Sequence, residues 1–429
     1  MTSDFLPPTL PFSADDLDVI AHAVPYSSDV ALQRATELRG AGYSPEQASA
    51  LLNQAKFRTQ AATKFGSRAQ HLLFTEAGLE QATRVPVAQL HATRFVEAGI
   101  VSVADLGCGI GADSLAFAEA GLGVAAVELD SATVAFTAFN LREYPAAKVY
   151  CADLKELSLH GLSDGGGTQV QGLWLDPARR TLEGAHTQSR IFDPEAFMPP
   201  LSFVRALAAT GIPMGVKMGP GIPHEEIPEG CEAQWVSHGG SVVEVVLWFN
   251  ALAHPGIRRS ATVLSNHLES PQILADFTSE VPDENQEPVP TGELEKYLFE
   301  PDGAVVRSHL IGEIAKRLGA HALDEHIAYL TAPVYSPTPG AQAFEVKGTM
   351  PVNEKILKRW AREENIGTLT IKKRGVDIVP EQLRLKILGS SKKKRGSESA
   401  TLIITRIGEG TTSQRIAIHA KPLPSALLD

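Results

Sequence analysis

The chain has 429 residues, 43% of them hydrophobic, and a formal net charge of −11, which is length for two or three cores and enough apolar mass to fill them. No apolar run approaches the roughly 18 residues that a membrane span needs, and the opening Met1-Thr-Ser-Asp-Phe-Leu-Pro-Pro lacks the basic-then-apolar order of a signal peptide. Three scattered cysteines, Cys108, Cys151 and Cys231, give neither a disulfide framework nor metal-ligand spacing, so a globular, cytoplasmic protein with reduced thiols and no metal is expected.

In chain order, residues 13 to about 98 read as helices. Ser13-Ala-Asp-Asp and Ser44-Pro45-Glu46-Gln47 carry the N-cap, first-turn proline and third-position acid or amide of helix starts. Ala48, Leu51, Leu52 and Ala55 then fall on one helical face, and Val87, Leu90, Ala92 and Phe95 suggest a further helix. From Val101 short apolar runs alternate with amphipathic stretches, which marks a doubly wound α/β sheet. Its parallel strands are expected at Val101–Asp105, Val124–Glu128, Lys148–Asp153, Gly172–Asp176 and Ile212–Lys217. Ala233–Ser237 and Ser241–Phe249, joined by Gly239-Gly240, read as a terminal β-hairpin. Residues 253–292 read as a strand and connecting loop, least structured at Pro282-Asp-Glu-Asn-Gln-Glu-Pro, and Leu294–Ala328 as two short helices. A small α/β module closes the chain, with strands near Ala343, Thr368 and Ala400 and a helix from Asn353 to Glu364. The resulting segments are 1–98, 99–252, 253–340 and 341–429.

Charge is unevenly spread: residues 345–421 hold 17 Lys/Arg against 8 Asp/Glu, or +9, which leaves −20 for the remainder. A basic module on an acidic body fits either a nucleic-acid partner or a solvated surface with a basic loop.

The chemistry concentrates in Asp105-Leu-Gly-Cys-Gly-Ile-Gly111. Gly107, Gly109 and Gly111 permit a tight strand-to-helix turn that brings backbone close to a ligand, with free N–H groups at the helix start. The glycines alone also satisfy the loose dinucleotide fingerprint. Asp105, two residues before them, would repel a pyrophosphate and suits the ammonium of an amino-acid moiety. Glu128 ends the second strand, where an acid can accept both ribose hydroxyls; Asp153 ends the third, within reach of an adenine amino group; Asp176 ends the fourth. Each acid could instead cap the following helix, yet all four lie at the sheet edge where open α/β folds bind ligands. Leu129 and Leu154, each next to an acid, and Cys108 within the turn complete the candidate cofactor set. Cys108 and Cys151 read as packed small side chains rather than nucleophiles. Outside this set, Lys217 at the end of strand five, followed by Gly219-Pro-Gly221, is a candidate substrate contact. Lys56-Phe-Arg58 and Lys64-Phe-Gly-Ser-Arg68 suit either nucleic acid or an ordinary basic helix face. Lys372-Lys-Arg374 and Lys392, Lys393, Lys394 and Arg395 are basic clusters suited to phosphate.

Through the glycine motif, Glu128, Asp153 and Asp176-Pro-Ala-Arg179, residues 70–250 resemble the class I S-adenosylmethionine-dependent methyltransferases. Leu175-Asp-Pro-Ala-Arg-Arg180, Glu300-Pro-Asp-Gly-Ala-Val-Val-Arg307 and His326-Ile-Ala-Tyr-Leu-Thr331 further resemble bacterial members that end in a THUMP-like domain, which extends the likeness to about residues 50–420. The resemblance implies a Rossmann-like methyltransferase sheet, S-adenosyl-L-methionine as cofactor and structured RNA as partner. It also implies that Asp176 and Pro177 align the acceptor, because amino-directed methyltransferases carry [Asp/Asn/Ser]-Pro-Pro-[aromatic] at this turn. Ala178 and Arg179 depart from that pattern. No aromatic follows the turn; Arg179 or Arg180 could stack through the guanidinium plane, hold a phosphate or pair with surface acids. In-line methyl transfer needs alignment rather than covalent help, and Asp176 could orient or deprotonate the nucleophile. The competing readings are a non-catalytic RNA-binding protein on a methyltransferase scaffold, and a methyltransferase acting on a small molecule or a protein.

Overall fold

The structure is a computed structural model, in which residues 9–179, 195, 197–280, 287–389, 396–408 and 413–424 are described. The chain forms two compact units. The first comprises Met1–Ala233, Glu244–Pro255 and His267–Pro271; the second comprises Gln234–Val243, Gly256–Asn266 and Gln272–Asp429.

The first unit opens with helices α1 (Ala14–His22), α2 (Ser28–Gly40), α3 (Pro45–Phe65), α4 (Glu76–Gln81) and α5 (Val85–Glu97). Helices α1 and α3 begin where the sequence places them. Asp16 donates its N–H to Ser13 Oγ while its carboxylate accepts from Ser13 N, and Ser44 with Gln47 repeats the exchange. Ala48, Leu51, Leu52 and Ala55 are all buried, as one helical face requires.

There follow β1 (Ser102–Leu106), α6 (Ala112–Glu119), β2 (Gly123–Glu128), α7 (Ser131–Asn140), β3 (Ala147–Cys151), β4 (Gly172–Leu175), the short β5 (Ala178–Arg179) and β6 (Phe197–Met198), α8 (Leu201–Ala208) and β7 (Met214–Met218). Strands run in the order β3-β2-β1-β4-β7, all parallel. The chain winds from β1 to β3 on one side and crosses to β4 on the other, so the carboxyl ends of β1 and β4 flank the switch point where such sheets bind ligands. The hairpin of β8 (Glu232–His238) and β9 (Ser241–Phe249) turns at Gly239 and Gly240, whose φ of 59° and 74° suit a tight turn, and β9 runs antiparallel to β7. Beneath the sheet, Gly215 leaves room for two indoles: a Cβ there would stand 2.5 Å from the Trp248 ring and 2.8 Å from that of Trp174.

In the second unit β10 (Arg259–Leu264) pairs with β11 (Ile273–Ser279). The expected short helices are α9 (Gly303–Arg307) and α10 (Ile311–Leu318), but β12 (Tyr297–Pro301), β13 (His321–Asp324) and β14 (Ile327–Ala332) surround them, so this stretch is a sheet component rather than a connector. With β15 (Ala341–Pro351), α11 (Glu354–Glu363), β16 (Ile366–Lys373), α12 (Pro380–Leu388), β17 (Glu398–Ile407) and β18 (Gln414–Pro422), a seven-stranded sheet forms in the order β13-β14-β12-β15-β18-β17-β16. Along β17 the period-two alternation sends Leu402 and Ile404 to Leu357 and Trp360 of α11, and Ile403 to Tyr329 and Phe344 on the other face.

Among the described residues no helix is long and apolar enough to cross a membrane, and no group of three or more His, Cys, Asp or Glu is placed to hold a metal.

Candidate functional site

The carboxyl edge of the first unit's sheet opens onto a cavity of about 900 Å³, a size that accommodates a small organic cofactor. Gly107, Gly109 and Gly111 form its floor turn in the left-handed region, with φ of 85°, 54° and 84°. A Cβ at Gly109 would meet nothing within 4 Å, so conformation, not space, makes glycine necessary there. Gly107, Cys108 and Gly109 line the cavity; Gly111 stands just outside it as the N-cap of α6.

On the β2–β3 side the wall is Val127, Glu128, Leu129, Ala152, Asp153 and Leu154. Glu128 Oε2 accepts from Gly109 N at 3.0 Å, and Oε1 accepts from Leu129 N and Asp130 N at 2.8 and 3.0 Å. Of about four acceptor positions on a carboxylate, one is left. Leu129 is 64% exposed, an apolar lid beside that acid. Asp153 lies two residues past the end of β3, and its Oδ1 accepts from Lys155 N at 2.9 Å.

On the β4–β7 side stand Asp176, Pro177 and Lys217. Lys217 Nζ donates to Asp176 Oδ2 at 2.5 Å and to Thr83 Oγ1 at 3.0 Å. Burial pushes the Asp176 carboxyl up against the opposing pull of Lys217. Burial would push the Lys217 ammonium down, but Asp176, Asp113 and Glu244 raise it above its ordinary value. Facing them are Met198, Pro199, Pro200 and Phe203, brought back to the Asp-Pro turn by the pairing of β5 with β6, Ala178 opposite Met198.

Asp105 is placed differently from expectation. It is 1% exposed and does not line the cavity, and its Oδ2 accepts from Ser114 Oγ at 2.5 Å. Burial, reinforced by the negative charge of Asp113, pushes its carboxyl up to about 8. Burial likewise raises the Cys108 thiol, in keeping with a packed side chain. The acid next to the glycine motif that does line the cavity is Asp113, in the first turn of α6. Asp113 was not anticipated, nor were its partners Thr83 and His91; its position directly after the glycine motif is the one signal the sequence offers.

The remaining candidates are held by structure. Arg58 Nε donates to Leu72 O at 2.9 Å in a buried setting, and Arg68 pairs with Glu119 at 2.7 Å. Lys64 Nζ donates to the carbonyls of Leu79, Glu80 and Ala82 at 2.8, 2.6 and 3.0 Å. Arg58 and Lys64 are therefore engaged within the N-terminal region and Arg68 with α6, rather than left as a free basic face. The caught segment, Gly78 to Thr83, contributes Gly78, Gln81, Ala82 and Thr83 to the cavity wall. In the second unit Lys372 and Arg374 face Glu300 at 2.5 and 4.0 Å, so two members of that basic cluster are already partnered. Arg180 and Lys392, Lys393, Lys394 and Arg395 lie outside the described residues, as does the side chain of Arg179.

Comparisons with known proteins bear on the family and the fold. The THUMP domain-like family matches residues 341–422. Over 387 residues, 88% of this chain and 98% of the relative, the chain is 30% identical to an uncharacterised S-adenosylmethionine-dependent methyltransferase of Mycobacterium tuberculosis, found alike in two strains. A crystal structure described as a methyltransferase of Porphyromonas gingivalis W83 aligns over 96% of this chain and 100% of its own with a TM-score of 0.72, at 20% identity. That last likeness speaks for the fold.

Proposed function

Since this chain belongs to the family of S-adenosylmethionine-dependent methyltransferases and ends in a THUMP-like domain, we propose that it methylates RNA, with the cofactor held by the glycine turn and the acceptor aligned by Asp176 and Pro177. The observation that carries this reading is that one cavity is lined both by Gly107–Gly109 with Glu128 and by the Asp176-Pro177 turn with Lys217. The donor set fits the cofactor: a flat ring suits the apolar Val127, Leu129 and Leu154, a ribose hydroxyl suits the open acceptor position of Glu128, and an exocyclic amine suits Asp153.

When bound, the cofactor supplies a methyl group already activated on a sulfonium, so the protein's part is alignment and charge. Lys217 fixes the Asp176 carboxylate through its 2.5 Å contact, and the free oxygen of Asp176 accepts the hydrogen of a nucleophile beside Pro177. Met198, Pro199, Pro200 and Phe203 shed water from the acceptor side. Phe203 is an aromatic face that the turn itself lacks, and it suits a planar acceptor.

We assign cofactor binding to 99–252 with a wall from 1–98, passage between these and the terminal module to 253–340, and RNA delivery to 341–429, whose +9 over residues 345–421 suits phosphate. Arg180 and the Lys392–Arg395 run remain candidate RNA contacts. Incubation with methyl-labelled cofactor and total RNA from cells lacking the gene tests the reading. Label in protein-free RNA supports it; label confined to protein or to small molecules overturns the RNA assignment.

A further inference from the structure

Six side chains form a continuous chain that runs from the buried Glu244 and His91 to the cavity wall, where Asp113, Thr83, Lys217 and Asp176 stand. Glu244 Oε1 meets His91 Nε2 at 2.5 Å and His91 Nδ1 meets Asp113 Oδ1 at 2.8 Å. Asp113 Oδ2 accepts from Thr83 Oγ1 at 2.8 Å, and Thr83 Oγ1 accepts from Lys217, which holds Asp176. His91 is fully buried, with its ring 4.2 Å from that of Trp174. Burial disfavours its charged form, but Glu244 and Asp113 together carry it up to about 9. Burial also raises Asp113, yet the hydrogen bond and charge of His91, with Lys217 and Thr83, hold its carboxyl below the ordinary range.

The charges therefore pair off unequally. Imidazolium His91 is matched by Glu244, and ammonium Lys217 by Asp176. Asp113 is the fifth charge and leaves the chain one negative unit in excess, at a residue that lines the cavity. A net negative charge in such a setting is costly and favours acquiring a cation. Each Asp113 oxygen has a further lone pair, since His91 and Thr83 occupy one apiece.

Resting on the cofactor site proposed above, we infer that Asp113, not the motif's Asp105, accepts the α-ammonium of the cofactor's amino-acid end, and that Thr83 and His91 are the positioning residues that keep it ionised and aimed. Asp105 is unsuited to that role, being walled off from the cavity and occupied by Ser114.

Three ligands test this by calorimetry: S-adenosylhomocysteine, its desamino analogue, and 5′-methylthioadenosine, which lacks the amino-acid end altogether. Asp113→Asn should weaken S-adenosylhomocysteine at least about tenfold, leave 5′-methylthioadenosine unchanged and abolish the wild-type preference for the amino over the desamino ligand. Asp105→Asn should preserve that preference. A preference kept in Asp113→Asn, or lost in Asp105→Asn, overturns the assignment. If Asp113→Asn does not fold, Thr83→Val keeps the charge and removes its clamp: a selective loss for S-adenosylhomocysteine supports the role, and equal affinities to wild type refute it. Failure of the wild-type protein to bind any of the three would instead sink the cofactor site.

Discussion

Asp105 should make the ligand-free protein less stable as pH rises, and Asp105→Asn should remove that dependence. Its carboxyl is pushed up to about 8 by burial and by Asp113, against an ordinary 3.8, so between those values the folded state holds a proton that the unfolded state has released. The unfolded state then binds fewer protons, and stability falls with pH at about 1.4 kcal/mol per unit for one proton. From about pH 5.5 to about pH 7.5 the wild-type chain should lose roughly 3 kcal/mol through this residue alone. His91, raised to about 9, acts in the same sense: its contribution is full below about 6.5 and fades as pH climbs to 9. His91 is common to both proteins and cancels in the comparison. The asparagine amide can still accept from Ser114, so the variant should fold. Urea unfolding of both proteins at the two pH values, followed by the fluorescence of the buried indoles, reads the difference. Parallel losses in the two proteins would show that Asp105 is ionised in the folded state and refute the reasoning.

Gly215→Ala should destabilise the first unit by about 1–3 kcal/mol or more, because its new methyl would press on the rings of Trp248 and Trp174; an unchanged melting temperature would show that both indoles yield freely. Lys64→Met keeps the aliphatic stem but strands three carbonyls, at about 1–3 kcal/mol. Faster hydrogen exchange over residues 79–83 with weaker S-adenosylhomocysteine binding is expected, and exchange unchanged from wild type would rule out the clamp. Replacing Lys392, Lys393, Lys394 and Arg395 with Ala should weaken RNA binding and flatten its salt dependence without altering cofactor affinity; an identical salt slope would remove the run from the interface.

What was legible in the sequence is what local patterning dictates. The two capping boxes, the alternation of strands and helices, and the glycine hairpin all express rules that operate within a dozen residues, and each reappears at Ser13, Ser44, β1 to β4 and Gly239-Gly240. Strands β12, β13 and β14 were hidden because their short apolar runs lie among helix-forming neighbours, and only pairing across the second unit's sheet makes them strands. Among site residues, Glu128 and Asp176 could be read from their place at strand ends. His91 and Glu244 could not: they are 153 positions apart and meet only when α5 packs against β9.

The same distance in sequence explains why acids at a shared sheet edge do not share a chemical state. Asp105 is pushed toward its neutral form by burial, Glu128 is largely taken by three backbone N–H groups, Asp153 accepts from its own turn, and Asp176 is matched by Lys217. Four carboxylates in a row therefore supply far less free negative charge than their spacing implies. The charge in excess belongs to Asp113, because its cationic partner His91 is already answered by Glu244. Position along the strands brings acids to one sheet edge; which acid lines the cavity and carries a charge to offer depends on partners recruited from α5, α6 and β9.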